Sequence, residues 1–351
     1  MTNLIPAHVM QKINQLTILT TNKCTASCEH CSMGSSPNRK GRLSLSTIVN
    51  TIENLIAHEN KPNSVIFAGG EPTLLRQILF DAIAFCSEHG INTRLVTNAS
   101  WAKDEPKTIE MINNLRECGL SEINYSVDDY HVNFISFENV LRAWRHSKNM
   151  GFSTVAIANC YGKNTKMTSN YILDRINENI PIYWDDDGKY SHNNFLAEDG
   201  TNYFISNARL QRLGRGRNIP ENDLIYPSKQ SDLNIKCPWT VRSAALSANG
   251  HLVACCGVEA HGNEFLDFGE AKKDNAYNLI EDAENRVVIK AIRNFGPYFL
   301  MQFVKEFSTN KIFKDKYSSI CEICEDVVSI EESRNILREN LTELYPLYNS
   351  L

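Results

Sequence analysis

The chain has 351 residues, 42% of them hydrophobic and 22% charged, enough for one large domain or one domain plus a smaller one. Its net charge of −5, from 36 basic and 41 acidic residues, supplies no global basic field for nucleic acid. No run reaches the roughly 20 apolar residues of a membrane span, and the opening MTNLIPAHVMQKINQ lacks the basic-then-apolar layout of a signal peptide, so the cytoplasm is expected.

Residues 16–21 (LTILTT) are a short apolar, β-branched run that predicts a first strand. Residues 44–58 carry Leu45, Ile48, Ile52, Leu55 and Ile56 at helical spacing. Further strands are expected over 64–68, 92–97, 122–127 and 154–158, and helices over 73–89, 108–118 and 137–149, several stopping at a glycine. A sixth strand falls somewhere in 180–205, a stretch broken by Asp185-Asp186-Asp187-Gly188. Alternating strands and helices mean βα units on a parallel sheet, able to curl into a full or partial barrel. Active sites of that architecture gather at the C-terminal ends of the strands. After Arg217 the alternation stops, which places a domain change near residue 220: a barrel over 1–220 and a second region over 221–351.

Eleven cysteines without an export signal point to metal binding before disulfides. Cys24, Cys28 and Cys31, in TTNKCTASCEHCS, form CxxxCxxC just after the first strand. Three thiolates in one loop are soft ligands, suited to zinc, Cu(I) or an iron–sulfur cluster. Structural zinc needs a fourth ligand, for which His30 is available. Gly69-Gly70-Glu71-Pro72 follows the second strand and opens a helix. Glycine allows close backbone approach, proline suits a first helical turn, and Glu71 offers a carboxylate to a cation. Thr97, Asn98, Ser126 and Asp128 are polar groups at the next two strand ends, fitted to hydroxyl or carboxylate contacts or to simple turn capping. Cys86 and Cys118 lie in helical segments as small apolar residues.

CxxxCxxC followed by Gly-Gly-Glu-Pro resembles the signature of the radical S-adenosylmethionine (radical SAM) enzymes. The resemblance implies a partial (β/α)6 barrel and a 4Fe–4S cluster on Cys24, Cys28 and Cys31, with one iron left open for SAM. It further implies that Gly69, Gly70, Glu71 and Pro72 meet the SAM amino group, that His30 packs near the adenine, and that Thr97, Asn98, Ser126 and Asp128 contact ribose and methionine. Reductive cleavage of SAM would yield a 5′-deoxyadenosyl radical that abstracts hydrogen, with an electron donor such as flavodoxin or ferredoxin. Arg212, Arg215 and Arg217 (RLGRGR) occupy the place of a Gly-Arg motif in related enzymes. Arg215 is the expected grip on a SAM or substrate carboxylate; a solvated linker is the plain alternative.

Cys237, Gly250 and Cys255 form C-x12-G-x4-C, around a hairpin whose Asn249-Gly250 predicts a primed turn. Cys321 and Cys324 form CxxC at the head of what reads as the last helix. The four thiolates make a closed set, resembling the auxiliary-cluster twitch domain, a shortened SPASM domain, which implies a second 4Fe–4S cluster. A four-cysteine zinc site is the alternative. Cys256 is left beside the set as a hydrogen-atom donor to a substrate radical, an alternative ligand or a bystander; Cys160 is a weaker donor candidate. The segment KIFKDK (311–316) reads as surface. About 15 residues precede the first strand, so no leader-recognition module is expected there. The expected function is radical modification of a peptide, such as epimerisation or cross-linking. The alternatives are dehydrogenation or epimerisation of a small polar metabolite, such as an aminoglycoside or sugar, and a non-catalytic zinc scaffold.

Overall fold

A computed structural model describes residues 12–185 and 197–344. Strand β1 (Gln15–Leu19) buries Leu16, Ile18 and Leu19. Helix α1 (Leu45–Ala57) starts at Ser44, whose hydroxyl accepts from the Thr47 N–H, and buries Ile48, Ile52 and Leu55. The alternation continues through β2 (Ser64–Ala68), α2 (Gln77–Glu88), β3 (Asn92–Thr97), α3 (Glu105–Glu117), β4 (Glu122–Ser126), α4 (Phe137–Ser147), β5 (Thr154–Tyr161) and α5 (Ser169–Ile176). Neighbouring strands pair in parallel and in sequence order from β1 to β5.

The expected sixth strand resolves into two. β7 (Asn202–Arg209) lies beside β5, and the short β6 (Ile182–Asp185) lies outside β7 at the sheet edge, both parallel. The mixture of polar and apolar residues over 180–205 hides this reversed order. Asp186, Asp187 and Gly188 lie outside the described residues. The helix expected over 73–89 is broken. A 3-10 turn (Pro72–Leu75) precedes α2, and Arg76 between them takes a left-handed φ of 53°. Helix α3 starts earlier than apolar periodicity suggests, because Asp104 caps it and a proline occupies its first turn.

The C-terminal region is continuous with the barrel sheet. β8 (Ala245–Leu246) pairs in parallel with β1, followed outward by antiparallel β9 (His251–Val253) and β10 (Asp267–Glu270). The β8–β9 turn is not primed. Gly250 alone is left-handed there, at φ 84°, while its N–H donates to the Ser247 carbonyl. That pattern is a type I turn completed by a glycine bulge. Helices α6 (Ala276–Glu284), α7 (Val287–Asn294), α8 (Pro297–Phe307), α9 (Ile320–Ser329) and α10 (Glu331–Asn340) complete the chain, so CxxC heads the penultimate α-helix. One apolar cluster runs from Leu16 and Ile18 through Leu246 and Leu252 to Ile292 and Val327, across the boundary expected near 220. No described helix is long and apolar enough to cross a membrane.

Candidate active site

The C-terminal end of β1 leads directly into the cysteine loop. The loop is bonded to the next rim segment backbone to backbone. The Gly70 N–H donates to the Thr21 carbonyl at 2.6 Å and the Glu71 N–H to the Lys23 carbonyl at 2.9 Å. A Cβ on Gly70 would stand 2.0 Å from the Lys23 oxygen, so only glycine fits. This refines the expected role: the close approach is to the cysteine loop. Cys24 Sγ accepts from the Ala26 N–H and from Asn98 Nδ2, each at 3.5 Å. Cys24, Cys28 and Cys31 pack around Ala26, Ile135 and Tyr130. Burial pushes the Cys24 thiol up to about 11 and the Cys28 thiol up to about 12. Such thiols become thiolates when a bound cation supplies the counter-charge.

Glu71 is fully buried. One carboxylate oxygen accepts from Thr73 Oγ1 (2.6 Å), Thr97 Oγ1 (2.8 Å) and the Thr73 N–H (3.3 Å), and the other from the Asn98 N–H (2.9 Å). Burial raises its pKa, and the Thr73, Asn98 and Thr97 hydrogen bonds oppose that rise. The carboxylate expected to face a cation is thus also hydrogen-bonded within the rim. Glu71 ties the second rim loop to the third, and Thr97 and Asn98 are its partners. Asn98 in turn reaches Thr25 Oγ1 (3.0 Å) and Cys24, which leaves Pro72 opening the 3-10 turn as expected.

At the next strand end Ser126 is half-buried and Asp128 is 1% exposed. Asp128 accepts from the Tyr130 and His131 N–H groups (both 2.9 Å) and lies 2.8 Å from His131 Nδ1 and 3.2 Å from His30 Nε2. Burial alone would raise its pKa, but His131 and His30 hold the carboxyl far below the usual carboxylate range. Asp128 is thus an anchor for two imidazoles. The His30 ring stacks on Tyr130 at 4.8 Å and meets His131 edge-on at 5.0 Å. Its buried Nδ1 has no partner. Ligand atoms of Cys28, His30 and His131 lie within 4.8 Å of one another, as do those of His30, Asp128 and Cys160. Tyr130 and His131 escape sequence reasoning. The run Asp128-Asp129-Tyr130-His131 directly after a strand was the available signal.

Arg215 also departs from expectation. Its Nε donates to the Cys28 carbonyl (2.8 Å), Nη1 to Gly34 (3.3 Å) and Nη2 to Ser35 (2.7 Å), while its N–H donates to the Cys31 carbonyl (3.1 Å). The guanidinium therefore staples the cysteine loop through its carbonyls. Gly214, at φ 54°, makes this possible, because a Cβ there would lie 1.9 Å from the Ser32 oxygen. Arg212 pairs with Glu221 and Arg217 with Glu325.

Cys237, Cys255, Cys321 and Cys324 come from a loop, the end of the hairpin and the head of α9. They line one cavity of about 790 Å³ together with Cys256. The sheet strands add the polar residues Arg94, Glu122, Asn124 and Ser206 to its lining, and Ser32, next to Cys31, also lines it. Cys256 is exposed, and the surface it exposes is cavity wall. Burial, with Glu259 nearby, pushes its thiol up to about 11 and raises those of Cys255 and Cys324 well above the ordinary thiol value. Glu259, which the sequence did not single out, lies 3.9 Å from Cys255 Sγ; burial raises its carboxyl to about 7. Cys160, at the end of β5, groups with His30 and Asp128, away from this second set.

Residues 18–170 match the family model described as the radical SAM superfamily. Over 328 residues the chain is 21% identical to a protein of Bacillus subtilis (strain 168) named "Putative peptide biosynthesis protein YydG", covering 92% of this chain and 95% of that one. Among solved structures, native anSMEcpe with bound AdoMet covers 96% of this chain and 100% of its own at 15% identity and a TM-score of 0.53. A histidine-tagged form of anSMEcpe with bound AdoMet gives 16% identity and 0.50, over 94% and 98%.

Proposed function

With residues 18–170 forming a radical SAM domain, and the chain thereby a radical SAM enzyme, we propose that it modifies a peptide by hydrogen-atom transfer at an unactivated carbon, with Cys256 as the thiol that returns the hydrogen. The observation that carries this reading is that Cys256 and Ser32, the residue after Cys31, line the same cavity. The resemblance to YydG supports a peptide as substrate. The reading as a non-catalytic zinc scaffold is set aside by the family match.

Cys24, Cys28 and Cys31 would hold the SAM-binding 4Fe–4S cluster, next to Gly69, Gly70, Glu71, Pro72, Thr97 and Asn98. The donor set fits such a group: Cys28 is buried and Cys24 and Cys31 half-buried, Cys24 already accepts two hydrogen bonds, and His30 Nδ1 waits unpartnered. When bound, cluster and SAM supply a carbon radical able to take hydrogen from an unactivated C–H. Cys237, Cys255, Cys321 and Cys324 would hold a second, fully ligated cluster.

The chain's own part is placement. The polar barrel wall orients the peptide, and the cavity keeps water from the reacting carbon. A thiol carries its proton at neutral pH, the state that can donate a hydrogen atom, and burial raises the Cys256 pKa further. Homolysis of its S–H forms the new C–H bond; the sulfur left behind then requires one electron from the external reductant and one proton. The cysteines are all unbridged, in keeping with a reducing cytoplasm.

The test is turnover in deuterium oxide with candidate peptides. One solvent deuteron in the product, lost in Cys256→Ala while 5′-deoxyadenosine release persists, is the expected result. Deuterium incorporation that survives Cys256→Ala overturns the donor role. Turnover of a small polar metabolite with none of any peptide overturns the substrate class.

A further inference from the structure

A second cavity, of about 440 Å³, adjoins the one that holds Cys256. Ser32, Gly257 and Cys324 line the first, while their chain neighbours Met33, Val258 and Glu325 line the second. Glu259 lines both, so the two cavities meet along these segments. Arg39, Arg217, Arg334 and His261 line the second cavity against the carboxyls of Glu259 and Glu325. A third cavity, of about 390 Å³, shares Arg217 and Ser329 with it and adds Arg212 and Lys314 against Asp326. Cations thus outnumber carboxyls in both linings, within a chain of net charge −5. Arg217 holds Glu325 and Lys314 holds Asp326. Arg212, Lys314 and Arg334 also reach acids outside the linings, namely Glu221, Glu322 and Glu264. Among the described residues Arg39 has no ion-pair partner. Even so, Arg212 Nε, Arg334 Nε, His261 Nε2 and Glu259 Oε2 are buried without a hydrogen-bond partner. Buried polar groups are nearly always paired, so a concentration of unpaired ones marks a place where a bound group supplies the partner.

Guanidinium donors favour carboxylates, which they grip through two parallel N–H bonds. We propose that these two joined cavities bind an acidic stretch of the substrate peptide, taking side-chain carboxylates a few residues from the carbon that is modified. The proposal rests on the peptide reading above and names the kind of peptide. An uncharged side chain entering here would desolvate the guanidiniums without supplying a counter-charge, so the subsite selects acidic residues over their amides.

The experiment measures fluorescence anisotropy of the cluster-loaded full chain with two labelled probes, a peptide of three glutamates flanked by glycines and its three-glutamine counterpart. The glutamate probe should bind about tenfold tighter. Its Kd should rise by about that factor in Arg39→Gln/Arg334→Gln, with the glutamine probe unmoved. Both changes are mild for the fold, since Arg39 is exposed and Arg338 still holds Glu264 when Arg334 is gone. Arg39→Lys/Arg334→Lys should regain part of the affinity, because an ammonium keeps the charge without the planar fork. Lys273→Gln/Lys305→Gln, an equal loss of charge at exposed positions outside both linings, should change nothing. Equal binding of the two probes overturns the proposal, as does an equal loss of affinity in both double glutamine variants. Free glutamate that displaces the probe as well as the unlabelled peptide does overturns it too, and assigns the cavities to a small anion. Binding is read here without turnover, so its failure leaves the peptide reading standing; that reading fails in the deuterium assay instead.

Discussion

The two cysteine sets solve the same problem by opposite means. Cys24, Cys28 and Cys31 lie within one loop, and the barrel only has to hold that loop still. It does so with the Gly70 and Glu71 backbone contacts on one side and the Arg215 staple on the other. Cys237, Cys255, Cys321 and Cys324 come from three separate elements, and folding itself must collect them around the 790 Å³ cavity. A local set needs rigid support, whereas a dispersed set reports on global packing. The first should therefore be fragile to substitutions at the rim and the second to substitutions in the C-terminal core.

The largest effect that would sharpen this contrast is the loss of one ligand from each set. Cys24→Ala should abolish 5′-deoxyadenosine release altogether, whereas Cys321→Ala should retain uncoupled release while losing modified product. Iron counting should fall from about eight per chain to about four in either variant. Equal loss of SAM cleavage in the two would erase the distinction.

Next in size is the staple. Arg215→Ala removes three donors from loop carbonyls and should cut first-set iron and sulfide content several-fold after reconstitution. Arg215→Lys should restore only part, because an ammonium cannot reproduce a planar fork across three carbonyls. Cluster content at the wild-type level in both variants would show that the loop holds itself. Gly70→Ala should destabilise by about 2 kcal/mol or more, since its Cβ would press on the Lys23 backbone; thermal unfolding reads this directly.

Asp128→Asn is expected to be smaller. It weakens the buried anchor of His30 and His131, at about 2 kcal/mol near neutral pH. The Asp128 pKa lies below its ordinary value of 3.8, so its stabilisation is complete above that value and lost as pH falls through it toward the depressed one. The difference between wild type and variant should shrink as strong acid carries the pH down through the depressed Asp128 pKa. A difference that survives strong acid undiminished would mean that the ionised carboxyl is not the anchor.

Much of this organisation was legible in the chain. The strand-to-helix alternation, the cysteine loop at the end of β1 and the polar residues closing β2, β3 and β4 follow from apolar periodicity and local spacing. The partners of those residues were not legible. Glu71 and Asp128 are acids at strand ends in the sequence. That one is saturated by Thr73, Thr97 and Asn98, and the other by two histidines, depends on which loops become neighbours on the rim. The order β5–β7–β6 and the type I turn at Gly250 were also hidden. Each depends on pairing energies between segments whose own patterns are ambiguous.

What the sequence by itself determined is how the radical chemistry begins. Three thiolates spaced for one loop and a Gly-Gly-Glu-Pro turn are local features, readable because ligand spacing is a property of adjacent residues. What only the tertiary structure decided is what surrounds that chemistry. Arg215 reaches the cysteine loop across 187 residues of sequence. Cys256 meets the polar barrel wall only because β8 joins the sheet beside β1. Contacts of that range arise from burial of a shared core, and no spacing along the chain encodes them.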